Sequence, residues 1–216
     1  MPCSFKALPR SFFNAGPTQV APALLGKLLI RRHRGREHRI RLVETEAYRG
    51  SGDDAAHSAA GRTARNAVLF GEPGHAYLYL IYGLHLCLNV STLPEGQAGG
   101  VLFRGAEEDG LPPITYSGPG RLSRALGLSL ADNGCDLTAP GSLFLADDGA
   151  RPAAIAVTPR VGIRKAAQLP YRFFLPGHDA VTRPRGPVLE VLRGSAISAL
   201  LPIASGSAKT LYSGIS

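Results

Sequence analysis

Cysteine is scarce in this 216-residue chain: Cys3, Cys87 and Cys135 are an odd number in no ligand-like spacing. Such a set argues against a disulfide framework and against a zinc site, and it suits a reducing compartment. No apolar run approaches the roughly 18 residues that a membrane span needs. The first residues also lack the apolar segment of a secretion signal, because Phe12 and Phe13 stand among polar and turn residues. Acids are short as well. Sixteen Asp and Glu face 24 Lys and Arg, a net charge of +8, which favours polyanionic partners and nucleic acid first. Charge by itself leaves a basic but otherwise ordinary cytosolic protein equally open. What remains is an ordinary globular composition, 44% hydrophobic and 19% charged, in a chain long enough for one domain with a real core.

Internal repeats are absent. Thr18 to Leu25 reads as a short helix capped by Thr18 and stopped by Gly26. Lys27 to Arg32 and Arg39 to Ala47 read as two strands joined by a polar loop from His33 to His38. Ser51 to Asn66 is rich in Gly, Ser, Ala and charge and predicts a long irregular loop, a length uncommon unless the loop has a function. Ala76 to Tyr82 and Leu84 to Val90 alternate as strands and predict a β-hairpin whose turn holds Tyr82 and Gly83. Val101 to Phe103 predicts a short strand ending at Arg104. Leu122, Ala125 and Leu126 share one face of a short helix behind the turn Ser117 to Gly120. Ala153 to Val157 and Val161 to Ile163 predict late strands. The expected fold is α+β: a single domain over residues 1–183 with a curved, mostly antiparallel sheet, a protruding hairpin and short helices. Residues 184–216 are expected to be an appendage, partly disordered, and not a second domain.

Two segments hold candidate chemistry. In Leu42-Val43-Glu44-Thr45-Glu46-Ala47-Tyr48, Glu44 and Glu46 fall on one strand face, and a carboxylate at a strand end is a candidate general base. Spacing alone favours a solvated edge strand that uses charge against aggregation. Downstream lies Asp53-Asp54-Ala55-Ala56-His57-Ser58, where a lone His is more often structural. The hairpin is harder to explain blandly. Strand preference accounts for Tyr77 and Tyr79, but not for Tyr82 at the tip, where a core would not cover it. An exposed ring on a rigid hairpin suits a wedge between base pairs. Arg62, Arg65, Arg104 and Arg121 would then be available for phosphates.

Seven blocks in order, VETEAY (ending at Tyr48), DDAAHS (Ser58), GRTARN (Asn66), PGHAYLYLIYGLHLCLN (Asn89), VLFR (Arg104), SGPGRL (Leu122) and PRVGI (Ile163), make the chain from about Phe12 to Val181 resemble the alkyladenine (3-methyladenine) DNA glycosylase family. The resemblance implies an enzyme that flips alkylated, and in some cases deaminated, purines out of duplex DNA and hydrolyses the N-glycosidic bond, leaving an abasic site. By position it implies Glu46 as the general base, His57 beside the attacking water and the extruded base, and Arg104 as support for that water and a nearby phosphate. It implies Tyr48 and Tyr79 as walls of the base pocket, Asn89 as the residue that clashes with the amino group of normal guanine, Tyr82 as the wedge, and Arg62, Arg65 and Arg121 at the DNA backbone. No lysine falls in a matched block, so hydrolysis without strand cleavage is expected, with neither metal nor other cofactor. The expected partner is double-stranded DNA containing damaged purines, the expected state a monomer without an obligate protein partner. The expected location is the cytoplasm at a bacterial nucleoid, or a eukaryotic nucleus. The sequence departs from the family at Ala64 (usually Pro), Leu84 (often Met), Arg121 (commonly Lys) and at Gly105 and Ala106. Composition and spacing alone leave two alternatives: a non-catalytic basic nucleic-acid-binding protein, and a nucleoside or RNA N-glycosidase.

Overall fold

A computed structural model describes residues 5–81, 83–183 and 186–199. Among them are ten strands: β1 (Lys6–Ala7), β2 (Leu28–His33), β3 (Arg36–Tyr48), β4 (Ala76–Ile81), β5 (His85–Thr92), β6 (Gly99–Glu107), β7 (Leu143–Asp147), β8 (Ala154–Thr158), β9 (Arg172–Phe174) and β10 (Glu190–Arg193). Three short helices accompany them, α1 (Pro17–Ala23), α2 (Pro119–Ala125) and α3 (Ser195–Ser198), with a few 3-10 turns. The expected α+β class holds. The strands form one curled antiparallel sheet in the order β1-β7-β2-β3-β6-β5-β4, with β9, β8 and β10 branching from β3.

β3 is the axis of this arrangement. Along one edge it pairs first with β2 (Arg36 to Arg41) and then with β9 (Glu44 to Glu46), while β6 follows the other edge from Arg41 to Tyr48. A strand paired on both sides belongs in the interior. From Ile40 onward β3 is almost continuously buried, so the edge-strand reading of Glu44 and Glu46 is overturned. The core around it combines Phe12, Phe13, Val20 and Leu24 with Leu42, Val90, Val101, Phe103, Leu122 and Leu126. α1 lies against β3, where the Thr45 hydroxyl donates to the Ala21 carbonyl at 2.9 Å.

Several boundaries differ from those expected, each for a local reason. Gly16, not Thr18, caps α1: Pro17 takes the first helical position, where its missing N–H costs nothing. The predicted loop 33–38 shrinks to a two-residue turn. Arg34 and Gly35 both adopt positive φ, 50° and 74°, as a primed hairpin turn requires, and pairing continues to His33 opposite Arg36. Val161–Ile163 is a bend instead of a strand, interrupted by Gly162 at φ 77°. β1, β7 and β9 are short and carry little alternation for sequence reasoning to find. β10 and α3 come from the segment read as an appendage; β10 pairs with β8, and Leu192 and Ile197 are buried.

Candidate active site

Two bulges set the chemistry-bearing residues on β3 and β6. The register runs Leu42 opposite Ala106, Glu44 opposite Gly105 and Thr45 opposite Phe103. Val43 is therefore extra on one strand and Arg104 extra on the other. Bulges re-aim side chains without ending a sheet. Here they direct Arg104 between two carboxylates: its Nε lies 3.4 Å from Glu44 Oε1 and its terminal nitrogen 3.5 Å from Glu46 Oε2. Gly105 follows from the same crowding, since a Cβ there would stand 2.8 Å from the Ala180 carbonyl and 3.1 Å from Glu44 Oε2. One departure from the family pattern is thus a steric requirement of this chain.

Both carboxylates are fully buried. Glu44 is saturated: it accepts from Arg172 Nε at 2.6 Å and from the Thr182 N–H and hydroxyl at 2.8 Å each. Glu46 is held more loosely. Its Oε1 accepts from the Val161 N–H at 2.9 Å, and its Oε2 from the Tyr48 hydroxyl at 2.9 Å and, at longer range, from Arg104. Burial, and then the adjacent Glu46 charge, raise the Tyr48 hydroxyl well above its ordinary value, so Tyr48 stays a donor. The resemblance assigns Glu46 the role of general base, which needs access to water. It sits just behind Tyr48 with no exposed surface.

The cleft itself is lined by Tyr48, Ala56, His57, Tyr77, Tyr79 and Asn89 among others, and encloses about 30 Å³. That is water-sized space at the base of an open cleft. β4 and β5 present Tyr77, Tyr79 and Asn89 to it from adjacent positions. His57 reaches it from the irregular loop: its Nδ1 is 3.0 Å from the Tyr77 hydroxyl, and its ring meets Tyr79 edge-on at 4.2 Å between centroids. Burial, with Arg65 nearby, lowers the His57 pKa, which keeps the imidazole neutral. Asn89 donates to the Tyr77 and Cys87 carbonyls at 3.2 and 3.4 Å.

Three residues without an assigned role in the sequence reading hold the loop and the cleft together. Asn66 donates to the His57 and Gly61 carbonyls, both at 3.0 Å, and accepts from the Thr63 N–H. Arg160 makes two bonds of 2.7 Å to Asp53 and one of 2.9 Å to the Ala47 carbonyl. Its guanidinium also lies 4.6 Å from the centre of the Tyr48 ring. Burial pushes the Asp53 carboxyl up, but the bonds from Arg160 and from backbone N–H groups outweigh it and hold the group below its ordinary value. These residues occur in DDAAHS, GRTARN and PRVGI, so the blocks were the signal; their pairing was not.

The remaining expected residues scatter. Arg65 donates to the Leu80 carbonyl at 3.0 Å and lies 5.9 Å from the centre of the Tyr79 ring, which makes it a brace for the hairpin as much as a surface charge. Arg62 and Arg121 are exposed. Tyr82 lies outside the described residues. Its neighbour Leu84 is 77% exposed. Among the described residues no three His, Cys, Asp or Glu side chains are grouped to hold a metal ion.

The family model for methylpurine-DNA glycosylase matches residues 11–179. The chain belongs to that family. A relative from Koribacter versatilis (strain Ellin345) is 50% identical over 194 residues, covering 82% of this chain and 94% of its own length. One from Methanocella arvoryzae is 41% identical, with 77% and 91% covered, and one from Burkholderia lata is 45% identical, with 82% and 91% covered. All three carry the name "Putative 3-methyladenine DNA glycosylase". The matched span of this methylpurine-DNA glycosylase family member contains both sides of the cleft, from the Glu46 strand through Arg160. DNA is the substrate that membership implies.

Proposed function

We propose that this DNA glycosylase extrudes an alkylated purine from duplex DNA into the cleft between Tyr48 and Tyr79 and hydrolyses its glycosidic bond with a water activated by Glu46. The observation that carries this reading is the direct bond between the Glu46 carboxylate and the hydroxyl of Tyr48, a wall of that cleft. It couples a buried acid, whose bond from Arg104 is a long 3.5 Å, to the place where a flat base would stack. An extruded base forfeits its stacking in the duplex, a few kcal/mol, and base–aromatic contact returns about 1–3 kcal/mol. Alkylation at N3 or N7 makes the purine cationic. It then stacks better on tyrosine by roughly 0.5–2 kcal/mol and leaves more readily, so the damage supplies much of its own selectivity.

Water needs a way to the sealed carboxylate. The Val161 and Tyr48 bonds are short, whereas the Arg104 contact is 3.5 Å and the Arg104 side chain keeps 13% of its surface exposed. Opening on the Arg104 side gives water its path, and Arg104 then steadies it. Glu46 takes the proton as the sugar carbon is attacked and stabilises the cationic sugar; the departing purine carries away the bonding electrons. Neutral His57 orients the base opposite. Tyr82 fills the gap left in the duplex, with Leu84 exposed beside it. No lysine lies in the matched sequence blocks, which favours hydrolysis without strand cleavage.

The test is a base-release assay over duplexes carrying 3-methyladenine, 7-methylguanine, hypoxanthine or ethenoadenine. Wild type releases free base and leaves intact strands with abasic sites. Glu46→Gln loses about 10²–10⁴-fold in rate while still binding lesion DNA. Near wild-type release by the variant, or a carboxylate still sealed from water in the complex, defeats the assignment.

A further inference from the structure

The turn between β2 and β3 takes no part in the cleft, yet it concentrates charge. Arg32, Arg34, Arg36 and Arg39 are all exposed there. Glu37 lies between Arg32 and Arg39, 2.7 Å from each, and Arg36 reaches Glu108 only at 3.8 Å. Arg34 has no ion pair among the described residues. It stands within the two-residue turn itself, at φ 50°.

α2 connects this turn to the aromatic hairpin. A Cβ on Gly120, in its first turn, would stand 3.1 Å from the His85 Cβ at the foot of the β4–β5 turn. One on Gly127, just past its end, would stand 3.1 Å from the His33 ring beside Arg34. Seven residues of helix rise about 10 Å, equal to roughly three base pairs of duplex. Arg121 and Arg124, three residues apart and so neighbours on one helix face, are exposed along that interval. Arg124, like Arg34, has no ion pair among the described residues.

We propose that Arg124 and Arg34 extend the backbone contact expected at Arg121 into a phosphate track, carrying the grip on duplex DNA about three base pairs beyond the hairpin that enters it. The track rests on the glycosylase reading for its ligand, a DNA duplex. The row begins at that hairpin and follows α2 with guanidinium groups that have no ion pair among the described residues; Arg121 donates only to the Ser117 carbonyl just before the helix. Guanidinium groups that neutralise DNA phosphates displace the cations condensed on them, so the mark of the track is a salt dependence.

The test compares wild type with R34N/R124Q. Asn tolerates the positive φ at 34, and Gln keeps helix propensity at 124. Affinity for a duplex carrying a stable abasic analogue is measured from about 50 to 200 mM NaCl. The double variant should show a slope of log K against log salt shallower by about 2, close to 0.9 for each lost phosphate contact. R34K/R124K should restore it. Single-turnover base release at saturating enzyme should not change. An unaltered slope in R34N/R124Q overturns the track, as does a Lys variant that behaves like the neutral one. If wild type releases no base while the slopes still differ, the glycosylase chemistry fails and the track stands.

Discussion

Asp53 and Arg160 lie 107 residues apart in the chain and meet in a two-point ion pair with no exposed side-chain surface. Through this pair the irregular loop that carries His57 is fastened to the bend that carries Val161, whose N–H holds Glu46. The same guanidinium packs against Tyr48 and binds the carbonyl between Glu46 and Tyr48. One pair therefore touches the acid, the aromatic wall and the loop of the cleft at once.

Removing one partner strands the other. Asp53→Asn leaves a buried guanidinium without its counter-charge, and urea unfolding should show a loss of about 3–5 kcal/mol. A loss below about 1 kcal/mol would mean that the pair is not what joins these segments.

Gly105→Ala asks for space that the Ala180 carbonyl and Glu44 occupy. Overpacking of this kind costs roughly 1–3 kcal/mol, and the accommodating shift falls on Glu44 and hence on Arg104. Thermal melting should drop modestly while base release falls further than the lost stability accounts for. Equal activity at saturating DNA would show that the bulge tolerates a methyl group.

His57 sets its Nδ1 against the Tyr77 hydroxyl, and partial desolvation there, followed by the nearby Arg65 charge, disfavours its charged form. Its imidazole should titrate below pH 6.5, followed by the ring C–H resonances in NMR. Because the folded pKa is depressed, the stability linked to this group is complete above the ordinary histidine value and is lost as pH falls through the folded one. A midpoint above 6.5 would contradict a neutral His57 in the cleft.

Asp147 governs acid stability at the opposite end of the sheet. Burial raises its carboxyl, but Arg151 and Lys27 outweigh that and bring it to about 2. Lys27, more deeply buried, is lowered by burial in spite of the same partner. With the unfolded carboxyl near 3.9, the contribution of Asp147 is complete above about pH 4 and disappears as pH falls toward 2. Asp147→Asn should cost about 1–2 kcal/mol at pH 6 and flatten the pH dependence of urea unfolding across that window. An unchanged profile would assign the acid sensitivity to other groups.

The sequence alone determined whatever depends on neighbours along the chain. Alternation from Ala76 to Val90 specified the hairpin, because side chains two apart share a strand face. The shared face of Leu122, Ala125 and Leu126 specified α2, though its start lies at Pro119, inside the turn expected over Ser117 to Gly120, and the ordered blocks named the family and nominated Glu46, Tyr48, His57 and Tyr79. Only the tertiary structure decided which strand is central, and with it whether Glu46 is wet or sealed. It also decided that Val161 turns its N–H to that carboxylate, that Arg160 finds Asp53, and that α2 leads from the aromatic hairpin to Arg34. Each of these contacts joins residues that periodicity cannot relate, since burial and pairing at such separations follow from the way a curled sheet brings its strands together.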